Sequence, residues 1–156
     1  MAKALFGAGC FWGIEEYFRK LKGVKKTCVG YSGGSLSNPN YKDVCTGKTE
    51  HAEVVLIEYD ELLLPYFELL NHFWRCHDPT QINGQGLDIG TQYRSVIFYY
   101  SDEQKKIAED SKENFQKNIN QQVATKINKA KEFFLAEDYH QCYIQKKTDI
   151  NFSIIN

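Results

Sequence analysis

Lys3 to Phe6 reads as a short, mostly apolar run of the kind that makes a buried strand, and Gly7-Ala8-Gly9 follows as a sterically permissive turn. Ile14, Tyr17, Phe18 and Leu21 then recur at i, i+3, i+4 and i+7, which predicts an amphipathic helix stopped by Gly23. Val24 to Ser32 alternates loosely and runs into Gly33-Gly34, a strand and a turn. Strand, helix and strand in this order predict a βαβ unit with a parallel pair and a right-handed crossover. His51 to Tyr59 is a β-branched, apolar strand with Glu53 near its start. Pro65 suits the first turn of a helix that carries Phe67, Leu70, Phe73 and Trp74 inward and ends near His77-Asp78-Pro79. Ser95 to Tyr100 is a further buried strand, and Ser101 with Gln104 matches a capping box opening a polar helix to about Ile119. Val123 to Ile127 reads as a short strand, Phe133-Phe134 as core and Ala136 to Ile144 as a final helical turn or two. Residues 145–156 carry no strong signal and read as a poorly ordered tail.

Two polar, glycine-bearing stretches interrupt this pattern, residues 33–50 and 78–94. Loops of this length are usually functional or disordered, and Tyr41 and Val44 inside the first favour function. The expected fold is α/β (α+β): one domain over residues 1–156, a mixed sheet with packed helices, the βαβ unit at its centre and both loops gathered above Cys10. No internal repeat or dividing linker breaks it.

Composition narrows the function. Of the 156 residues 42% are hydrophobic and 25% charged, which is ordinary for a soluble globular domain. The net charge of −1 supplies no basic field for nucleic acid, and no apolar run is long enough to span a membrane. Met1-Ala2-Lys3-Ala4 enters a strand at once, so the expected compartment is the reducing cytoplasm. The five cysteines, 10, 28, 45, 76 and 142, stand singly, which argues against a zinc ribbon, a C-x-x-C dithiol or a paired disulfide framework. The four histidines lack ligand spacing, and His51-Ala52-Glu53 has the H-x-E shape of a zinc deaminase without its P-C-x-x-C partner. Gly7-x-Gly9 suggests a dinucleotide-binding turn, but Trp12 occupies the place of the third glycine and blocks close approach of a pyrophosphate.

Chemistry concentrates at Cys10, placed at a strand-to-helix turn. A helix N-terminus favours an anion and lowers a thiol pKa from its free value of about 8.5, so Cys10 is expected to be an activated nucleophile. The alternative is a small buried hydrophobe, against which stand the glycine-rich approach and the two aromatics that follow. Glu53 beside Val54, Val55, Leu56 and Ile57 is either a solvent-facing residue or a desolvated acid kept protonated near neutrality.

Gly9-Cys10-Phe11-Trp12-Gly13, Gly30-Tyr31-Ser32-Gly33-Gly34, Asn38-Pro39-Asn40-Tyr41, His51-Ala52-Glu53-Val54, His77-Asp78-Pro79-Thr80-Gln81 and Gly90-Thr91-Gln92-Tyr93-Arg94-Ser95 occur in this order, with Asp88 and Ala136-Glu137-Asp138-Tyr139-His140-Gln141 beside them. In these runs the chain resembles peptide methionine sulfoxide reductases of the A type, from about residue 3 to residue 145. The resemblance implies reduction of methionine S-sulfoxide, free or in proteins, without metal or organic cofactor. It makes Cys10 the nucleophile on the sulfoxide sulfur and Glu53 the acid that protonates the oxygen. Tyr41 and Tyr93 become donors to that oxygen, Asp88 an orienting group, and Phe11 and Trp12 the pocket for the substrate methyl. A Cys10 sulfenic acid is the expected product, reduced by thioredoxin or by glutathione with glutaredoxin, and the enzyme is expected to be a monomer. The chain departs from the family where relatives carry resolving cysteines in a glycine-rich tail: residues 144–156 hold neither Cys nor Gly. Cys142 is the remaining candidate resolving thiol, and its alternatives are a structural cysteine and a one-cysteine cycle. A thiol redox sensor or a methionine-binding module needs Cys10 and the aromatics but has no use for an acid and two phenols, so turnover separates these readings.

Overall fold

The computed structural model describes the backbone of residues 1–155 and the side chains of residues 1–150. In chain order the elements are β1 (Ala2–Ala8), α1 (Phe11–Arg19), β2 (Val24–Ser32), α2 (Tyr41–Cys45), β3 (Ala52–Tyr59), α3 (Tyr66–Arg75), β4 (Gly84–Gln85), β5 (Asp88–Ile89), β6 (Ser95–Tyr99), α4 (Asp102–Lys117), β7 (Lys126–Lys129), β8 (Phe134–Leu135) and α5 (Tyr143–Ile155). Single 3₁₀ turns occupy Thr91–Tyr93 and Asp138–His140.

Six strands form one sheet in the order β7-β6-β1-β3-β2-β8, and β4 and β5 make a separate hairpin. The sheet is mixed, as expected, but β1 and β2 are not a hydrogen-bonded pair. β3 lies between them, antiparallel to both, and among the described residues the one parallel ladder is β6 with β7. β1 and β2 therefore still run in the same direction with α1 crossing between them, and the βαβ unit is split by a strand from further along the chain. The physical reason lies in β3 itself. Its Val54-Val55-Leu56-Ile57 run is apolar on both faces, which suits a strand covered on both sides and paired on both edges.

Alternation sorts the sheet into two faces. Ala4, Phe6, Ala8, Val29, Tyr31, Val55, Ile57, Tyr59 and Ile97 belong to one buried cluster with side chains of α1, α3 and α4. Phe6 is its hub, with ring centroids 4.9 Å from Phe73 and 5.7 Å from Phe18. The opposite face buries Leu5, Val54, Val96 and Phe98 under Ala130 and Phe133. In α3 the residues Leu69, Leu70, Phe73 and Trp74 point inward, but Phe67 is exposed and lines a groove between α3 and α4 instead.

Other boundaries differ in detail. Gly7 and Ala8 still pair with Val96 and Ser95, so the turn narrows to Gly9 alone, at φ +99°. The strand expected at Val123–Ile127 falls on Lys126–Lys129. Residues 145–155, expected as part of a poorly ordered tail, continue α5. The start of that helix is fixed by a tertiary contact: Tyr143 stacks on Trp12 at 3.9 Å with planes 12° apart. Among the described residues no helix is long and apolar enough to cross a membrane.

Candidate active site

Three segments meet at the end of β1. Gly9 turns the chain so that Cys10 caps α1, and a side chain at Gly9 would strike Gln85 at 2.7 Å. Gln85 is fixed there because its amide accepts from Asp78 N–H at 2.8 Å and donates back to the Asp78 carbonyl. The second loop is thus seated against the Cys10 turn. The first loop is shaped by His51, which accepts from Gly34 N–H at Nδ1 (3.0 Å) and donates from Nε2 to the Leu36 carbonyl (2.6 Å). Both ring nitrogens of the H-x-E histidine are occupied in loop structure. Within the same loop Asn40 and Asp43 cap α2 reciprocally, Asn40 Oδ1 accepting from Asp43 N–H and Asp43 Oδ2 from Asn40 N–H.

Glu53 alternates with Val55 and Ile57 onto the helix-covered face, opposite Tyr31 in the β2–β3 register, and is only 1% exposed. Its Oε1 accepts from Phe11 N–H at 3.2 Å, one residue past Cys10, while Oε2 is buried without a partner. Burial, reinforced by the Asp88 charge and opposed by the Phe11 hydrogen bond, pushes the carboxyl up to about 8. It is the desolvated acid, not the solvent-facing residue. The Tyr41 and Tyr93 phenols stand close enough to feel both each other and Glu53, and burial raises both. Asp88 is exposed on β5, yet its charge acts on Cys10 and on Glu53.

The thiol departs from the expectation of a lowered pKa. Cys10 faces the free N–H groups of Trp12 and Gly13, which favour the thiolate, but it closes no cap hydrogen bond. Burial outweighs them, with the Glu53 and Asp88 carboxyls adding to it, and the thiol is pushed up. The helix terminus offsets part of the desolvation without reversing it.

Phe11 is buried between Tyr31 and His140, at ring distances of 5.7 and 5.1 Å. Trp12 is half-buried, held by its Nε1–H to His140 Nδ1 at 2.9 Å and by the Tyr143 stack. Cys10, Glu53, Tyr41, Tyr93, Asp88, Phe11 and Trp12 therefore gather at one end of the sheet. Cys142 stands elsewhere, its N–H donated to the buried Glu15 at 2.7 Å and its sulfur 3.8 Å from the same carboxylate. Glu15 lies five residues past Cys10, about 7.5 Å along the helix axis. The larger surface hollows, such as the groove lined by Phe67, Trp74 and Phe115, lie apart from Cys10.

A family model described as peptide methionine sulfoxide reductase matches residues 2–155. The chain belongs to that family. It is 53% identical over 146 residues to the peptide methionine sulfoxide reductase MsrA of Methanothermobacter thermautotrophicus, covering 92% of this chain and 86% of that one. Among solved structures it resembles reduced Mxr1 from Saccharomyces cerevisiae, with 39% identity, a TM-score of 0.89, and coverage of 93% of this chain and 84% of that one. Mxr1 in complex with Trx2 matches with 27% identity and a TM-score of 0.65, covering 91% and 84%. Beyond the residues read from sequence, His140 and Tyr143 hold Trp12, and Glu137 accepts from Tyr41 N–H. His140 and Glu137 lie inside a recognisable motif, but no local signal told which side chains they would reach.

Proposed function

We propose that this reductase acts on methionine S-sulfoxide through Cys10 and Glu53. The observation that carries the reading is the unpartnered Oε2 of a buried carboxyl held protonated to about pH 8, beside the N-terminus of the helix that Cys10 caps. A sulfoxide oxygen leaves poorly, so attack at sulfur needs a proton on that oxygen as the S–O bond breaks. Glu53 supplies it from Oε2. Tyr41 and Tyr93 donate to the same oxygen as negative charge develops, which is preorganised electrostatic stabilisation. Trp12 and Phe11 take the substrate methyl, and Asp88 orients the rest of the methionine.

Proton transfer out of Glu53 and loss of the thiol proton are linked in the overall step. One thiol and one sulfoxide give one thioether and one sulfenic acid; the oxygen passes to the Cys10 sulfur, and two electrons pass from that sulfur to the substrate. Two external thiols then return Cys10 to its starting state, releasing water and a disulfide. Because Cys142 is engaged with Glu15, the favoured cycle uses Cys10 alone, with thioredoxin or glutathione plus glutaredoxin as the thiol source. Five free cysteines suit a reducing compartment such as the cytoplasm.

The test is single turnover of a blocked methionine S-sulfoxide without reductant. Cys10→Ser is expected to abolish it, and Cys28→Ser and Cys76→Ser to leave it intact; turnover by Cys10→Ser refutes the assignment. Intact mass should show one added oxygen on Cys10, trapped by a dimedone-type reagent. A loss of two hydrogens, mapping to a disulfide from Cys10 to Cys142 or Cys45, replaces the one-cysteine cycle by an internal relay.

A further inference from the structure

α2 carries the phenol of Tyr41 but has only five residues, too few to hold themselves in place. Its Asn40–Asp43 box closes its own first turn and ties it to nothing outside the loop. Val44 buries the helix against the core and the Tyr41 ring packs 4.8 Å from His140, and the polar tether at its start is a carboxylate. Tyr41 N–H, an orphan donor of the first helical turn, is donated to Glu137 Oε2 at 3.2 Å. An anion at a helix N-terminus is also favoured by the helix dipole. The other oxygen, Oε1, accepts from Tyr31 OH at 3.0 Å, and Tyr31 packs on Phe11. Tyr139 OH also reaches Oε2, at 3.3 Å.

Glu137 itself sits on a rigid mount. The residues just before it pair with Gly30 and Tyr31 as β8, and Ala136 N–H is donated to the Val29 carbonyl at 3.0 Å. The Gln141 side chain grips Val29 at both backbone groups, each at 2.8 Å. The carboxylate therefore refers the position of a loop helix to the edge of the sheet.

We propose that Glu137 is a positioning residue for the reduction, its carboxylate anchoring the start of α2 to the sheet so that Tyr41 is aimed at the sulfoxide oxygen. The proposal rests on the reading of Tyr41 as a donor to that oxygen. Without the tether the Tyr41 N–H loses its partner, and a displacement of about 1 Å at a reacting group costs about 10²-fold in rate.

A kinetic double-mutant cycle on the full chain tests it, with thermal unfolding measured on each variant. Glu137→Ala and Tyr41→Phe are each expected to lower kcat with KM for a blocked methionine sulfoxide nearly unchanged. In the Tyr41→Phe background, Glu137→Ala should cost less than about threefold, because coupled residues are non-additive. Glu137→Gln keeps an acceptor for the Tyr41 N–H and should retain most of the rate, whereas Glu137→Asp, one methylene short, should not. This pair carries the same cycle if Glu137→Ala does not fold. A full additive loss in the Tyr41→Phe background, with Tyr41→Phe itself slow, sinks the positioning role and leaves the reading of Tyr41 intact. Wild-type kcat in Tyr41→Phe removes that reading, and the proposal with it. Wild-type kcat in both Glu137→Ala and Glu137→Asp also overturns it.

Discussion

A carboxyl that keeps its proton to about pH 8 destabilises the fold that holds it whenever the solution is basic enough to ionise the unfolded chain. The folded value for Glu53 lies above the unfolded 4.5, so between these values the native state binds more protons than the unfolded state. Stability from this residue is full below about pH 4.5 and is lost as pH rises through about 8. Glu53→Gln keeps the shape and removes the titration. Its stability relative to the parent, measured by denaturant midpoint, should rise by up to a few kcal/mol at pH 8 and by little near pH 4.5. The same substitution should lower the rate by about 10²–10⁴-fold and remove the alkaline limb of the pH profile that Glu53 supplies. An unaltered rate together with unaltered stability at pH 8 would mean that Glu53 is neither desolvated nor an acid. The gain in stability and the loss of rate are one fact seen twice, since the burial that raises the pKa is what makes the proton available.

At the scale of elements, the passage from β1 to α1 depends on Gly9. Its φ of +99° is costly for an L side chain, and its nearest neighbour is the Gln85 stem that seats the second loop. Gly9→Ala should destabilise by about 1–3 kcal/mol and slow turnover, because either the turn or the Gln85 lock must move. Equal stability and rate in that variant would show the close approach to be slack. The turn was legible because glycine punctuation and helical period are local signals, whereas the apolar run after Glu53 left burial and solvent exposure both open, and only the packed sheet decides for burial. The partnering of β1 was not legible: alternation says which face a residue takes and nothing about which strand comes to lie alongside. The start of α5 depends on the Tyr143–Trp12 stack, a contact across 131 residues that no window of the sequence spans. The same holds for Glu137 and His140, whose partners Tyr41 and Trp12 lie far back in the chain. For Cys10 the local rule was read correctly and overruled by burial, which only the packed fold supplies.

For the whole molecule, acid stability turns on a second buried titratable group. His77 donates Nδ1–H to the Phe73 carbonyl at 2.8 Å and pairs at Nε2 with Ser95 Oγ at 2.7 Å, deep in the fold. Burial pushes it down to about 4 from 6.5. The unfolded chain binds that proton first, so stability falls as pH drops from about 6.5 toward 4. Glu53 works the other way over part of this window. Unfolding of Glu53→Gln between pH 7 and 4 should therefore reveal a slope approaching about 1.4 kcal/mol per pH unit, and His77→Gln added to it should flatten that slope. A slope that survives His77→Gln would assign acid sensitivity to another group.

The antiparallel pairing of β1 with β3 brings the end of one strand beside the beginning of the other, with Phe6 opposite Val55 and the Glu53 carbonyl within contact range of the Gly7 backbone. Cys10 and Glu53 are thus spaced by the ladder, whereas Tyr41, Tyr93 and Asp88 ride on two long connections. Such a division makes the protein modular under selection. Insertions, deletions or new side chains in either connection can alter what surrounds Cys10, while the spacing of Cys10 and Glu53 is carried by the sheet.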